Sequence, residues 1–552
     1  MRALATPTRL DWIVGGVVLV VYAVVQVAFL LGPHPFDPAR YFRTSLDFPD
    51  VNPNLWTLRI GLMVPVRIAV AILGSSEAAL YAVPLVVGLL LAAAVYATTL
   101  VLFGDRLAAA SAALVTVLNA NFLLNSSSIF PDTAATATFA AGFFFLVLGG
   151  TPSWSERWGG RAPAAAAVLA GLLFGWTYLI REFSPVLLPV VIVAVVLLRY
   201  PLRRLAVVAV AASAVAALEI LYGELMFGRP FIHLSLLLRR GDLPEQDEAR
   251  AFRVEYIQEQ VDDPISALLV FPRLLLAWGS GWVLLVLLAV FVGALIVFRR
   301  DRRLWILAAW CFGFWAAMVL IPFVPTSSGR WILNVTNIRY WYPLFPALAM
   351  GAFGGLLLLL GELVRHPRWR TVLPSAAPLI AAVVLVPGLA EFDRCADKDV
   401  WRNDPAERWD QLRTWFSTAE AQPYRMVQTD HDTARLLPVF TRTTFGETVW
   451  RGTIRPFRGP ANVRILAQPE RVLILLHYDR LTAVHLVEPN LQRLRADWKP
   501  LFVSDDGMMV VLAYRPPAAK VASAAGPWWE VPPPRIEVQD GCGLSPYEPS
   551  LR

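Results

Sequence analysis

The chain predicts an α-helical polytopic membrane protein that carries a mixed α/β domain at its C-terminal end, and three observations lead there. Of 552 residues, 57% are hydrophobic and only 16% charged, and the mean hydropathy is +0.54, a composition unlike that of a soluble globular protein. Several runs approach the roughly 20 apolar residues needed to cross a bilayer. From Trp401 onward the character changes to that of ordinary soluble sequence.

In chain order, Arg2 and Arg9 precede a first span over residues 12–31. It is too long for a signal-peptide core and lacks a clear small-residue cleavage site, so it reads as a retained anchor. Further spans are expected at 80–103, 107–124, 133–148, 164–180, 183–198, 205–222, 282–298, 304–323, 340–360 and 372–389, which makes eleven. Arginine and lysine collect in cytoplasmic loops. With the N-terminus inside, Arg106, the Arg157/Arg161 loop, Arg199/Arg203/Arg204, Arg299/Arg300/Arg302/Arg303 and Arg365/Arg368/Arg370 all fall on the cytoplasmic side. Odd parity then places everything after about Glu391 outside, together with the loops at 32–77, 125–132, 223–280 and 324–339. The 223–280 loop contains a second apolar piece, 265–278, with Arg273 in its middle, and this reads as a helix lying at the interface.

The expected division is a transmembrane domain over 1–391, an extracytoplasmic α/β domain over 392–515 and a Pro-rich tail over 516–552. In the second of these, Asp404-Pro405 is a helix-start signal ahead of 406–416. Runs at 425–428, 463–466, 472–476 and 508–512 read as strands, and 491–498 as a helix. The net charge of +7 rests almost wholly on arginine and lies largely in short interhelical loops, so it does not imply a nucleic-acid partner. Of the three cysteines, Cys311 lies in an apolar span as packing. Cys395 and Cys542 bracket the soluble domain in the compartment expected to be oxidising, and they are the candidate disulfide. No Cys/His spacing suggests zinc.

Candidate chemistry gathers in the outer loops. Asp37, followed by Pro38, can cap a short helix at the membrane surface with Tyr41 one turn along on the same face. Asp47 and Asp50 read as ordinary loop acids. Asp132 sits at the mouth of a span, where an acid needs water, a partner, a capping role or a function. Arg181 and Glu182 interrupt apolar sequence from 164 to 198, and a structural ion pair and a phosphate-binding arginine both fit. Arg339 precedes the aromatic run Tyr340-Trp341-Tyr342, where an interfacial aromatic belt is the plainer reading of the aromatics. Asp430-His431-Asp432 has metal-ligand residue types but reads as a surface turn.

Taken in order, these features resemble the C-type (GT-C) membrane glycosyltransferases, in particular the branch of protein O-mannosyltransferases and aminoarabinose transferases. The resemblance covers roughly residues 10–360. It rests on Asp37 with Tyr41, the amphipathic 56–73 stretch, Phe103-Gly104-Asp105-Arg106, Pro131-Asp132, Arg181-Glu182, and Arg339-Tyr340-Trp341-Tyr342-Pro343-Leu344-Phe345-Pro346. Two departures stand out: Asp37 is followed by Pro38 where many relatives have a second acid, and Asn52-Pro53-Asn54-Leu55 replaces a His-Pro-Pro-Leu-like segment.

The resemblance implies a polyprenyl-phosphate sugar donor held in the lipid bilayer and an acceptor in the cell envelope. It casts Asp37 as general base and Asp132 as its partner, Arg181 and Arg339 as phosphate ligands, and Tyr41, Glu182 and Tyr340 as substrate contacts. It leaves the use of a divalent cation open. It also implies a bacterial cytoplasmic membrane protein with many passes. The competing classes are a transporter of lipid-linked glycans, which matching broken helices or mid-membrane acids would favour, and a scaffold presenting the C-terminal domain.

Overall fold

The computed structural model describes residues 8–30, 37–54, 56–151, 161–181, 184–238, 264–276, 281–320, 324–325, 331–332, 338–363, 376–396, 406–443, 448–456, 471–477, 498–505 and 507–514. The first part is helical: α1 (Arg9–Ala28), α2 (Asp37–Asp47), α3 (Ile60–Leu73), α4 (Glu77–Phe103), α5 (Arg106–Leu118), α6 (Ala120–Ser126), α7 (Pro131–Gly150) and α8 (Arg161–Ile180). It continues with α9 (Leu188–Leu198), α10 (Leu202–Phe227), α11 (Ile232–Leu238), α12 (Pro264–Leu276), α13 (Trp282–Val297), α14 (Arg302–Leu320), α15 (Leu344–Leu363) and α16 (Ala376–Ala396). A two-stranded ladder, β1 (Val324–Pro325) with β2 (Trp331–Ile332), precedes α15.

Each of the eleven expected spans contains helix. Seven of these helices, α1, α4, α7, α8, α10, α15 and α16, are long and apolar enough by length and composition to cross a membrane. Their outward faces are oily. On α1, Val17, Val20, Val24 and Val27 are exposed while Val18, Tyr22 and Gln26, spaced by four, are buried. An apolar belt of this kind is stable only against lipid.

Local chemistry sets the boundaries. Gly104 ends α4 with φ +72, and Asp105 caps α5 by accepting from Ala108 N at 2.8 Å. The expected span over 107–124 is broken in two. Asn119 leaves the helical region (φ −66, ψ 147), its Nδ2 donates to the Val115 and Thr116 carbonyls at 3.0 and 2.9 Å, and its Oδ1 accepts from Phe122 N at 3.0 Å. One side chain thus satisfies backbone groups on both sides of the break. Pro131 then starts α7 at a position where its missing N–H is no loss.

Small residues let the helices approach closely. A Cβ on Gly171 or Gly175 would meet the carbonyl oxygen of Val208 or Ala212 at 2.3 and 2.7 Å, so α8 and α10 pack backbone to backbone. We call the end where α1 finishes and α4 and α7 begin the upper end. At the lower end, Arg106 lies 3.8 Å from Asp11, and Tyr96 Oη donates to the Asp11 carbonyl at 2.7 Å, tying α1, α4 and α5 together.

The C-terminal part holds α17 (Ala406–Phe416), β3 (Met426–Thr429), α18 (His431–Pro438), β4 (Thr453–Pro456), β5 (Val472–His477), β6 (Trp498–Val503) and β7 (Met509–Tyr514). The sheet order is β4-β3-β5-β7-β6, with β3 parallel to β4 and β5, and β7 antiparallel to β5 and β6. Strand β5 is buried along its whole length, as a run with no polar alternation over 472–476 requires. Leu473 and Leu475 pack against Trp409, Phe416 and Phe440, whereas Val472, Ile474 and Leu476 point to the other face, beside Leu512 of β7 and Trp498 of β6. The strands expected at 425–428, 472–476 and 508–512 are present to within a residue or two. Three readings need correction. Trp498, expected at the end of a helix, opens strand β6; β4 was not anticipated; and Asp430-His431-Asp432 is the start of a helix rather than a surface turn. The strand expected at 463–466 and the pair Cys395–Cys542 lie outside the described residues, Cys395 falling in the last turn of α16 with its side chain undescribed. Cys311 is a free thiol buried in α14.

The upper end is tightly set where α3 meets α8. A Cβ on Gly61 would stand 2.8 Å from both Ile180 N and Leu179 C, backbone atoms that cannot turn aside. Gly61→Ala is expected to destabilise the protein by about 1–3 kcal/mol through overpacking. Gly16→Ala, whose Cβ would meet nothing within 4 Å, is expected to leave the thermal midpoint in detergent unchanged or raise it. Equal midpoints for the two variants would contradict this packing.

Candidate active site

Asp132 occupies the first turn of α7, where the helix dipole favours an acid. It is fully buried, at 0% exposure. Its carboxylate does not cap the helix: Oδ1 stands 3.1 Å from Arg181 Nε and Oδ2 3.8 Å from Arg339 Nε, and neither contact is aligned as a hydrogen bond. Arg181 follows α8 directly, and Arg339 lies in a 3-10 turn, Ile338–Trp341, ahead of α15. Three elements far apart in sequence therefore converge on one carboxylate.

Tyr340 completes the group. The Arg181 guanidinium lies 5.4 Å and that of Arg339 5.2 Å from its ring centroid, and Arg339 also stacks over Phe130 at 5.0 Å. Arg339 Nη2 donates to Tyr340 Oη at 3.4 Å. Burial alone would push the Tyr340 phenol up. The positive field of Arg339 and Arg181 outweighs that, and the phenol ends below its ordinary value. The aromatic-belt reading of Tyr340 is thus too plain, because its ring is a platform for two cations.

The turn that carries Asp132 is held from behind. Asn125 Nδ2 donates to Tyr342 Oη at 2.6 Å, Ser126 Oγ to Gln26 Oε1 at 2.8 Å, and Gln26 Nε2 to Ser127 Oγ at 3.3 Å, all buried. Gln26 on α1 and Tyr342 beside Arg339 therefore fix the 125–128 segment that leads into Pro131 and Asp132.

Asp37 is the first residue of α2, as its pairing with Pro38 suggests. The side chains of Asp37 and Glu182 lie outside the described residues. Tyr41, one turn along α2, is fully buried and accepts a hydrogen bond from Arg59 at the start of α3. Arg67 Nη1 donates to the Ser45 carbonyl at 3.1 Å, so two arginines of α3 fasten α2. Tyr41 and Phe42 share an apolar cluster with Ile129, Ala134, Ala135 and Ile180, the flanks of Asp132 and Arg181. The helix that begins with Asp37 and the Asp132 group thus belong to one packed unit. Arg59, 5% exposed, was missed in the sequence. An arginine in an otherwise apolar stretch that has to find a partner is the signal that marks it.

Asp47, by contrast, pairs with Arg43 at 3.7 Å on the surface, both about half exposed. Among the described residues, no group of three His, Cys, Asp or Glu side chains is arranged to hold a metal ion.

A helical bundle with apolar outward faces, a small mixed sheet after it and a charged, aromatic-lined group at one end is the architecture that the sequence resemblance anticipated. Among solved structures the chain is similar to ArnT from Cupriavidus metallidurans bound to undecaprenyl phosphate, with a TM-score of 0.53 and 15% identity over 94% of this chain and 100% of that one. The apo form of ArnT matches with the same TM-score at 14% identity, covering 90% of this chain and 97% of that one. The apo oligosaccharyltransferase of Archaeoglobus fulgidus gives 0.47 at 14% identity, covering 92% and 75%. At these identities the likeness to ArnT is one of fold. No protein-family profile matches the chain, and no curated protein sequence does.

The Asp132 group makes a stability prediction. Asp132→Asn would leave Arg181 and Arg339 facing each other across a neutral amide, and removing one partner of a buried ionic group costs about 3–5 kcal/mol. Removing the surface pair by Asp47→Asn is expected to cost less than about 1 kcal/mol. Thermal unfolding of both variants in detergent checks the contrast. A midpoint for Asp132→Asn equal to that of the parent would contradict the ionic group.

Proposed function

We propose that the chain is a membrane glycosyltransferase that moves a sugar from a polyprenyl-phosphate donor to an acceptor in the cell envelope, a glycan, lipid or protein. The observation that carries this reading is the convergence of two arginines from distant parts of the chain, Arg181 and Arg339, on the buried Asp132 carboxylate beside the Tyr340 ring. A phosphate is the natural counterpart, since guanidinium groups match its geometry and keep their charge at any physiological pH. ArnT, whose fold this chain shares, was solved with undecaprenyl phosphate bound.

On this reading the donor's polyprenyl tail stays in the bilayer with its phosphate at Arg181 and Arg339. Asp37 takes the proton of the acceptor hydroxyl as that oxygen attacks the anomeric carbon, and the bond to the donor phosphate breaks. The electron pair leaves with the phosphate, whose growing charge the two arginines stabilise. One direct displacement inverts the anomeric centre. Asp132 fixes the arginines in place, Tyr340 backs them, and Tyr41 orients the helix that bears the base. Glu182 is a further substrate contact in this scheme.

The arginine bias of the lower loops supports a cytoplasmic N-terminus, with the upper end and the C-terminal domain outside a bacterial cytoplasmic membrane. The domain limits 1–391, 392–515 and 516–552, and a Cys395–Cys542 bridge, belong to the same proposal.

The test is transfer by purified protein from a panel of radiolabelled polyprenyl-phosphate sugars to a membrane extract. Asp37→Asn keeps the shape and much of the capping ability but cannot take a proton, and it is expected to lower turnover about 100-fold to 10,000-fold with donor binding retained. Arg339→Ala is expected to act mainly on donor KM. Near-normal turnover in folded Asp37→Asn would remove the assigned base. No transfer from any polyprenyl-phosphate sugar would remove the reading itself.

A further inference from the structure

The transferase reading makes no use of the lower end of the bundle, where the exposed charge is one-sided. Two short turns lie there, residues 199–201 between α9 and α10 and residues 298–301 between α13 and α14. Arg199, Arg203, Arg299, Arg300 and Arg302 stand exposed on them or in the helix turn that follows. Among the described residues none of the five is engaged in an ion pair. The acids nearby are taken: Asp11 faces Arg106, Asp105 caps α5, and Asp301 accepts from Arg303 Nε at 2.9 Å.

Both turns are fastened and they are neighbours. Tyr200 is buried against Gly149 and Gly150, and Arg204 Nη1 donates to the Gly149 carbonyl at 2.8 Å, which holds the first turn to the end of α7. Trp305 Nε1 donates to the Arg299 carbonyl at 2.7 Å and Arg303 Nη1 to the Leu102 carbonyl at 3.4 Å, which holds the second to α14 and the end of α4. The helices α9 and α14 pack together in opposite directions, and a Cβ on Gly313 would lie 3.9 Å from Val190. Leu198 and Trp305 are each eight residues nearer the lower end than that contact, about 12 Å at the helical rise. Arg199 and Trp305 therefore stand at the same level, one turn from Arg302.

Helix stabilisation does not account for these charges. Arg199 ends α9, where a cation suits the dipole, but Arg203 and Arg302 sit in the first turns of α10 and α14, where a cation opposes it. The start of α10 has neither a side-chain cap nor an acid in its first turn, so its orphan N–H groups also favour an anion. Beside the arginines the surface is apolar: Val196, Leu202, Ile296, Val297 and Trp305 are exposed. A free anion or an acidic protein would match the charge and leave this apolar surface in water. The partner that fits both carries hydrocarbon on a negative headgroup, because arginine stems lie along apolar chains while their heads reach the phosphate.

We propose that the two turns at the lower end form a binding surface for anionic phospholipid, whose phosphate meets Arg199, Arg203, Arg299, Arg300 and Arg302 and whose acyl chains cover the apolar residues beside them. This inference stands apart from the transferase reading and survives if that reading fails. It holds whichever side of the membrane the lower end faces.

The test is native mass spectrometry of the full-length protein in a maltoside detergent, titrated with dioleoyl phosphatidylglycerol or with dioleoyl phosphatidylcholine, which share their chains and differ in net charge. Phosphatidylglycerol is expected to bind about tenfold more tightly or better. The triple variant Arg299→Gln/Arg300→Gln/Arg302→Gln is expected to lose that preference while keeping the thermal midpoint and the binding of phosphatidylcholine. The corresponding lysine variant, which keeps the charge, is expected to bind like the parent, as is Arg43→Gln at the upper end. The proposal is overturned if the two lipids bind equally, if the folded glutamine variant keeps the preference, or if the lysine variant binds as weakly as the glutamine one. It is also overturned if Arg43→Gln abolishes the preference, which would move the site to the upper end. Displacement of phosphatidylglycerol by glycerol 3-phosphate at equal concentration would overturn it too, since the surface would then take a free anion.

Discussion

A carboxylate with no access to water needs cations around it, and at Asp132 that requirement recruits α7, the end of α8 and the turn before α15. In a low-dielectric interior the desolvation of one such group costs several kcal/mol, and only close, well-held partners offset it. Arg181 at 3.1 Å and Arg339 at 3.8 Å are those partners. Much of the upper end can be read as the means of holding them. Gly61 admits α3 against the backbone that ends in Arg181, Asn125 bonds Tyr342 next to Arg339, and Gln26 of α1 grips the serines ahead of Asp132. The rigidity of this surround matters for the proposed chemistry, because pre-set charges stabilise a leaving phosphate without reorganising as it departs.

The helix α2 is tied to that group by different means. It is short and polar, and its hold on the bundle comes from buried Tyr41 and Phe42 and from the arginines of α3. In the proposed reaction this sets the base on a separate element from the phosphate ligands, with the acceptor arriving between them. The C-terminal sheet stands over the same end.

Much of this was legible in the sequence, and for identifiable reasons. Apolar runs of spanning length marked eleven segments, each of which contains helix, seven of them long and apolar enough to cross a membrane. The costs of intramembrane charge singled out Asp132, Arg181 and Arg339 one by one. What the sequence could not give was their convergence, since 49 residues separate Asp132 from Arg181 and 158 separate Arg181 from Arg339. Helix capping and ion pairing are equal readings of an Asp after Pro131 until the partners are seen. Asn119 hid inside an apolar run because its amide substitutes for the backbone bonds that it interrupts. In the C-terminal domain Trp498 was misread because a Leu- and Arg-rich stretch has helical propensity, while β6 is fixed by pairing with β7. Arg59 was passed over as part of an amphipathic stretch, and its bond to Tyr41 depends on how α2 folds back.

The account turns on Arg181 and Arg339 receiving the donor phosphate while Asp132 holds them. A cryo-electron microscopy structure of the full-length protein in nanodiscs containing undecaprenyl phosphate measures this directly. The phosphate is predicted to lie between the two guanidiniums, with the Asp132 carboxylate still against both. A phosphate bound elsewhere in the membrane bundle, with Arg181 and Arg339 making no contact to it, would contradict the account.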